Sequence, residues 1–212
     1  MDTFILIIYT PRFIKSILLF VHLGIMITLR KATKNDASAL ADLMLLAMDE
    51  IVYYFIGDKN PLHAKDFLMH FISLENNQYS YENSYVAEEN KQILGQITLY
   101  DGKDLSKLRE PIKNYLSEKF KRELQFEDET SAGEIYIDTL SVFPQAQGKG
   151  IGRSLLNFSI QEFAVNQNQV LGLLVEKSNP NAKKLYIQVG FKMVNEARLF
   201  NKEMEHLQFK DH

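Results

Sequence analysis

The sequence contains no cysteine, no excess of positive charge and no uninterrupted apolar run of membrane-spanning length. The missing cysteine excludes disulfides and thiolate metal sites, and makes a cytoplasmic protein the expectation. It also removes the strongest biological acyl-accepting nucleophile. Any acyl transfer must then pass directly from donor to acceptor, or use a weaker group. A formal net charge of -3 lacks the basic footprint that nucleic acid requires, so no nucleic-acid partner is expected. A mildly acidic chain suits cationic partners such as amines. The five histidines (His22, His63, His70, His206, His212) show no tight ligand spacing, and no metal is expected.

Apolar stretches over 4–9 and 16–27 are broken by Arg12 and Lys15, and the second falls short of the roughly 20 residues of a membrane span. A secretory signal would begin with positive charge, which Met1-Asp2-Thr3 does not supply. No membrane association is therefore expected. Residues 1–25 read as a leader ahead of one domain over 26–212, with Met26 as a natural start.

What is present suits a single core: 212 residues, 46% of them hydrophobic. Residues 27–33 have the form of a first strand. Thr33 and Asp36 form a capping box for a helix with Leu40, Leu43, Met44, Ala47 and Ile51 at helical spacing. Pro61 suits the first turn of a second helix, tied to the core by Ala64, Leu68, Phe71 and Ile72. Strands over 84–88 and 93–100 form a hairpin. A helical pattern over 105–124 contains Pro111, read as a start or a kink. A strand over 134–142, a glycine turn and a helix over 150–164 follow, then a buried strand over 170–175. Pro180 opens another helix that ends near Gly190, and 191–209 supplies a last hairpin. The order is mixed α/β without internal repeats.

The most informative stretch is Gln147-Gly148-Lys149-Gly150-Ile151-Gly152-Arg153, between a strand and a helix. Glycines let a ligand approach the main chain. Successive amides, continued by the free N–H groups of a helix start, cradle phosphate oxygens, and Lys149 and Arg153 add charge. The order is not that of a P-loop, and the glycine spacing is not that of a dinucleotide fingerprint. A tight strand-to-helix turn without ligand is the structural alternative.

This stretch resembles the pyrophosphate loop of the GNAT acetyltransferases, Gln/Arg-x-x-Gly-x-Gly/Ala, in two overlapping frames, 145–150 and 147–152. Further along, Asn179-Pro180-Asn181-Ala182, Leu185-Tyr186 and Gly190-Phe191 resemble the family segment that closes the cofactor site. Ala32-Thr33 with Asp36 and Leu40, and Ile93-Leu94-Gly95-Gln96-Ile97, resemble its earlier strands. The resemblance covers most of 26–212. It implies a twisted, mostly antiparallel sheet flanked by helices, whose fourth and fifth strands splay to admit the pantetheine arm of acetyl-CoA. It also implies that backbone groups of Leu140, Ser141 and Val142 pair with that arm. The amides of 147–152 would hold the pyrophosphate, and Asn179 would steady the pantetheine region. The first three helices, and the insertion around 105–131, depart from a minimal family member and would shape the acceptor pocket.

An alkylammonium acceptor has a pKa of roughly 10 and must lose a proton before attack. Alternation places Glu134, Tyr136 and Asp138 on one strand face. The resemblance puts Glu134 where some relatives carry a base, and Asp138 nearer the thioester; Glu134 is preferred, with a solvated or salt-bridged carboxylate as the alternative for each. Tyr186 matches the tyrosine that protonates the leaving thiolate, and a backbone N–H at Val142 would polarise the thioester oxygen. The reading is an N-acetyltransferase acting on a primary amine of a small molecule or peptide, without an acyl-enzyme; a homodimer is allowed for. The acidic run Glu127, Asp128 and Glu129 reads as a solvated loop, and Tyr53, Tyr54 and Phe55 as core or surface. The rivals are a non-catalytic acyl-CoA sensor, a nucleotide-dependent oxidoreductase and a membrane-anchored structural protein.

Overall fold

The computed structural model describes residues 5–7, 18–22 and 25–211. Among the described residues, nine strands form one sheet: β1 (Ile5–Ile7), β2 (Leu18–His22), β3 (Ile25–Lys31), β4 (Ser84–Glu89), β5 (Gln92–Asp101), β6 (Ile135–Val142), β7 (Leu171–Glu176), β8 (Lys192–Leu199) and β9 (Lys202–Phe209). Their spatial order is β1-β2-β3-β4-β5-β6-β7-β9-β8. Every pair is antiparallel except β6 with β7. In the expected leader, β1 and β2 extend the sheet beyond β3; residues 1–4, 8–17 and 23–24 lie outside the described residues.

Among the described residues, five α-helices cover the faces: α1 (Ala37–Ile56), α2 (Pro61–Ile72), α3 (Leu105–Phe120), α4 (Ile151–Ser159) and α5 (Pro180–Gln188). The first three pack a core on one face, around Leu40, Met44, Phe67, Phe71, Ile112 and Leu116. On the other face α4 and α5 lie against Ile97, Leu99, Ile137, Leu173 and Leu207. Local chemistry fixes the helix starts. The Thr33 N–H donates to Asp36 Oδ2 at 2.7 Å, and Arg30 grips the same carboxylate at 2.7 and 2.9 Å. Asn60 Oδ1 accepts from the Leu62 N–H at 3.0 Å, with Pro61 in the first turn of α2.

Two expectations are corrected. Pro111 neither starts nor breaks its helix but lies inside α3. It and Lys107, whose carbonyl loses its intrahelical donor, are both on the exposed side, where water can replace the bond. In α1, Leu40, Leu43 and Met44 are buried as the spacing predicts, whereas Ala47 is exposed and Ile51 half-buried. The helix leaves regular geometry at Met48 (φ -146°, ψ 27°), which turns Leu46, Ala47 and Ile51 toward a cavity.

Candidate active site

The β6 and β7 strands pair only from Ile135 to Ile137, opposite Leu171 to Leu173, and then part. A bulge in β6 accompanies the parting. On β5, Leu99 faces Ile137 and Thr98 faces Thr139, so Asp138 is the extra, unpaired residue. The bulge also inverts the alternation. Before it, Ile135 and Ile137 face the α4 side; after it, Leu140 and Val142 do. Asp138 and Thr139 thus share the α1 side. The Phe143 N–H donates to Leu94 O at 2.9 Å on the β5 side. Successive strand amides point in opposite directions, so the Val142 N–H points into the gap between β6 and β7.

A groove of about 520 Å³ runs along this gap to the glycine turn. Leu140, Ser141, Val142, Gln147, Gly148, Gly150, Ile151, Gly152, Arg153 and Asn179 line it; Lys149 does not. Gly148 (φ 75°) and Gly150 (φ 79°) are left-handed, and a Cβ at either would meet nothing within 4 Å. The turn is therefore an open cradle, and α4 begins directly behind it with unpaired N–H groups. Several polar side chains here hold the protein itself in shape. Gln147 Nε2 donates to Val142 O at 3.1 Å, and Arg153 Nη2 to Gln188 Oε1 at 2.5 Å. Asn179 Oδ1 accepts from the Ala182 N–H at 3.1 Å, capping α5.

A second cavity of about 330 Å³ lies between α1 and the open end of the gap. Leu46, Leu140, Asn179, Ala182 and Tyr186 border both spaces, which therefore adjoin along these residues. Asp138 lines the second cavity. Its Oδ1 accepts from Gln78 Nε2 at 3.3 Å and lies 3.5 Å from the Tyr100 hydroxyl. Its Oδ2 is buried without a partner. Burial, followed by the negative charge of Glu129, pushes the Asp138 carboxyl up to about 7, against the pull of Gln78, Arg109 and Tyr100. Burial pushes the Tyr186 hydroxyl up to about 12.

Glu134 stands elsewhere. It lines neither space, and its carboxylate accepts from Thr130 Oγ1 at 2.7 Å and Gln208 Nε2 at 2.8 Å, with His206 Nε2 also at 2.8 Å. Burial opposes its ionisation, but the bonds from His206, Gln208 and Thr130 prevail and hold it below the ordinary carboxylate value. The carboxylate lies over Gly172, where a Cβ would come within 1.8 Å of Glu134 Oε2.

Sequence reasoning missed Gln78, Tyr100, Arg109 and Glu129, which surround Asp138. Glu129 is buried, not solvated: it is ion-paired with Arg109 and accepts from the Tyr100 hydroxyl at 2.9 Å and Gln78 Nε2 at 2.8 Å. A signal was available at Arg109, which falls on the apolar stripe of α3 with Leu105, Ile112 and Leu116. A charge there requires a buried partner. Among the described residues, no group of three or more His, Cys, Asp or Glu converges to hold a metal. No described helix is long and apolar enough to cross a membrane.

Comparison with known proteins bears on the fold and the family. A solved acetyltransferase is 30% identical, with a TM-score of 0.71 over 86% of this chain and 98% of its own. An N-acetyltransferase from Staphylococcus aureus Mu50, 22% identical, shares the fold with a TM-score of 0.68 over 85% of this chain and 99% of its own. So does the ribosomal-protein-S18-alanine N-acetyltransferase of Escherichia coli, 17% identical, at 0.54 over 87% and 93%. The search of curated proteins finds no match. The sequence profile of the Acetyltransferase (GNAT) family matches residues 52–191. The chain belongs to the GNAT acetyltransferase family and is an acyltransferase.

Proposed function

We propose that this acyltransferase moves the acetyl group of acetyl-CoA directly to a primary amine of a small molecule, with Asp138 as base and Tyr186 as acid. The observation that carries this reading is the junction of the two spaces. One ends in an open glycine cradle, the other holds a buried carboxylate oxygen without a partner, and Tyr186 borders both.

The amides of 147–152, with the start of α4, would bind the pyrophosphate. Backbone groups of Leu140, Ser141 and Val142, with Asn179, would hold the pantetheine arm in the gap. Acetyl-CoA supplies a thioester carbonyl open to attack. The Val142 N–H is oriented to polarise its oxygen. Asp138 takes one proton from the acceptor ammonium, freeing the nitrogen lone pair. As the C–N bond forms and the C–S bond breaks, Tyr186 gives its proton to sulfur, and the resulting phenolate takes up the second proton that the nitrogen sheds. A tyrosine held near 12 still carries that proton at neutral pH. Glu134, favoured from the sequence, is assigned instead to holding β6 against β9. The absence of cysteine supports direct transfer without an acyl-enzyme.

Calorimetric titration with acetyl-CoA, beside NAD and ATP, tests the donor assignment. Binding of acetyl-CoA alone is expected. Binding of neither acetyl-CoA nor CoA would remove the assignment.

A further inference from the structure

The tip of the β8–β9 hairpin forms one wall of the acceptor cavity. Leu199 and Lys202 make the last strand pair, leaving Phe200 (φ 48°) and Asn201 (φ 61°) as a two-residue left-handed turn. Such turns favour Asn and Gly; a phenylalanine is costly there and needs outside support. Support is present: the Phe200 ring meets Tyr54 and Phe55 edge-on at 5.9 and 5.8 Å, and its N–H donates to Glu127 Oε2 at 2.6 Å. The tip in turn fixes Lys202, whose ammonium lies 2.8 Å from Glu50 on α1 and 3.4 Å from Glu176 on β7.

The charges lining the cavity then sort into pairs. Arg109 neutralises Glu129, and Lys202 answers Glu176. Asp138 keeps a buried oxygen without a partner. The remaining wall mixes apolar side chains, among them Leu46, Ile51, Phe55, Phe126, Leu174 and Met204, with polar ones such as Gln78, Thr139 and Asn179. Glu127 stands outside this lining, on the exposed rim, with the Phe200 N–H as its donor.

Resting on the acetyltransferase reading above, we propose that the acceptor is a short amine with one positive charge and an apolar body. Lys202 sets this preference by holding, as a tethered ammonium, the place that the second ammonium of a diamine would take. A lone ammonium meets the free oxygen of Asp138, and its carbon chain lies on apolar walls. A distal ammonium would meet Lys202, and the carboxylates able to receive it are already engaged.

The test compares n-hexylamine with 1,6-diaminohexane, acceptors alike in length and unlike in charge, using the full chain. The expected kcat/KM favours hexylamine by roughly tenfold or more, which lies between the cost of a close like-charge contact in water and near a protein surface. Lys202→Met keeps the apolar stem and removes the charge, and should bring the ratio toward one; Lys202→Gln serves as the second variant. A wild-type preference for the diamine, or a ratio unmoved by both substitutions, would overturn the proposal. Transfer to neither amine with acetyl-CoA binding intact would overturn the acceptor assignment alone. Loss of acetyl-CoA binding by the unaltered chain would instead overturn the reading beneath it.

Discussion

Two carboxylates, Glu134 and Asp138, lie four positions apart in the sequence, and their surroundings push them in opposite directions. Glu134 is held ionised by three donors, so its contribution to folding is present above the ordinary carboxylate pKa and is lost as pH falls below it. Glu134→Gln should cost about 1–3 kcal/mol in urea denaturation near neutral pH, because His206 and Gln208 lose a charged acceptor. Its kcat should stay near wild type; a large loss of kcat with stability intact would restore Glu134 as the base. Tyr186→Phe should lower kcat by roughly 10²-fold with the acetyl-CoA Kd unchanged, as measured by turnover and calorimetry together. Full retained turnover would remove the hydroxyl from the mechanism. Alternation alone placed both carboxylates on one face and could not tell them apart. The partners that separate them are distant in sequence: His206 and Gln208 lie 72 and 74 positions from Glu134, and Gln78 lies 60 from Asp138.

At the level of elements, the glycine turn and α5 were legible because their chemistry is local. Gly148 and Gly150 take left-handed angles, and Pro180 opens the helix as the sequence suggests, with Asn179 as its cap. Gly150→Glu should strain the turn and place a negative charge in the cradle. Its acetyl-CoA Kd should rise by roughly tenfold or more in a calorimetric titration, since each 1.4 kcal/mol is a factor of ten. An unchanged Kd would show that the turn does not meet the pyrophosphate. The bulge at Asp138 was not legible, because it depends on the register between β5 and β6 and no local residue announces it. The acidic run misled for a related reason. Glu127 and Asp128 are exposed, while Glu129, one residue on, is drawn inward by Arg109. The kink at Met48 is unexplained by its neighbours in sequence.

Taken as a whole, the described residues place two helical layers on a sheet that opens where β6 leaves β7, so the proposed donor groove and acceptor cavity share Tyr186. The fold class was readable from element order, since each long element carries its own period. The contents of the acceptor cavity were not, because they come from α1, α3, β6 and the β8–β9 tip together. Burying Asp138 has a global consequence. Its folded value, about 7, lies above the ordinary 3.8, so the folded form binds the extra proton and stability declines as pH rises between those values. The same burial poises the carboxyl to act as a base near neutrality. The measurement that tests this account most directly is the pH dependence of kcat/KM for amine acetylation in the wild type and in Asp138→Asn. The account predicts a wild-type rate that climbs with pH through about 7 and levels above it. In Asp138→Asn it predicts a loss of roughly 10²–10⁴-fold, together with that limb. A variant that keeps both the rate and the limb would contradict the account and place the base elsewhere.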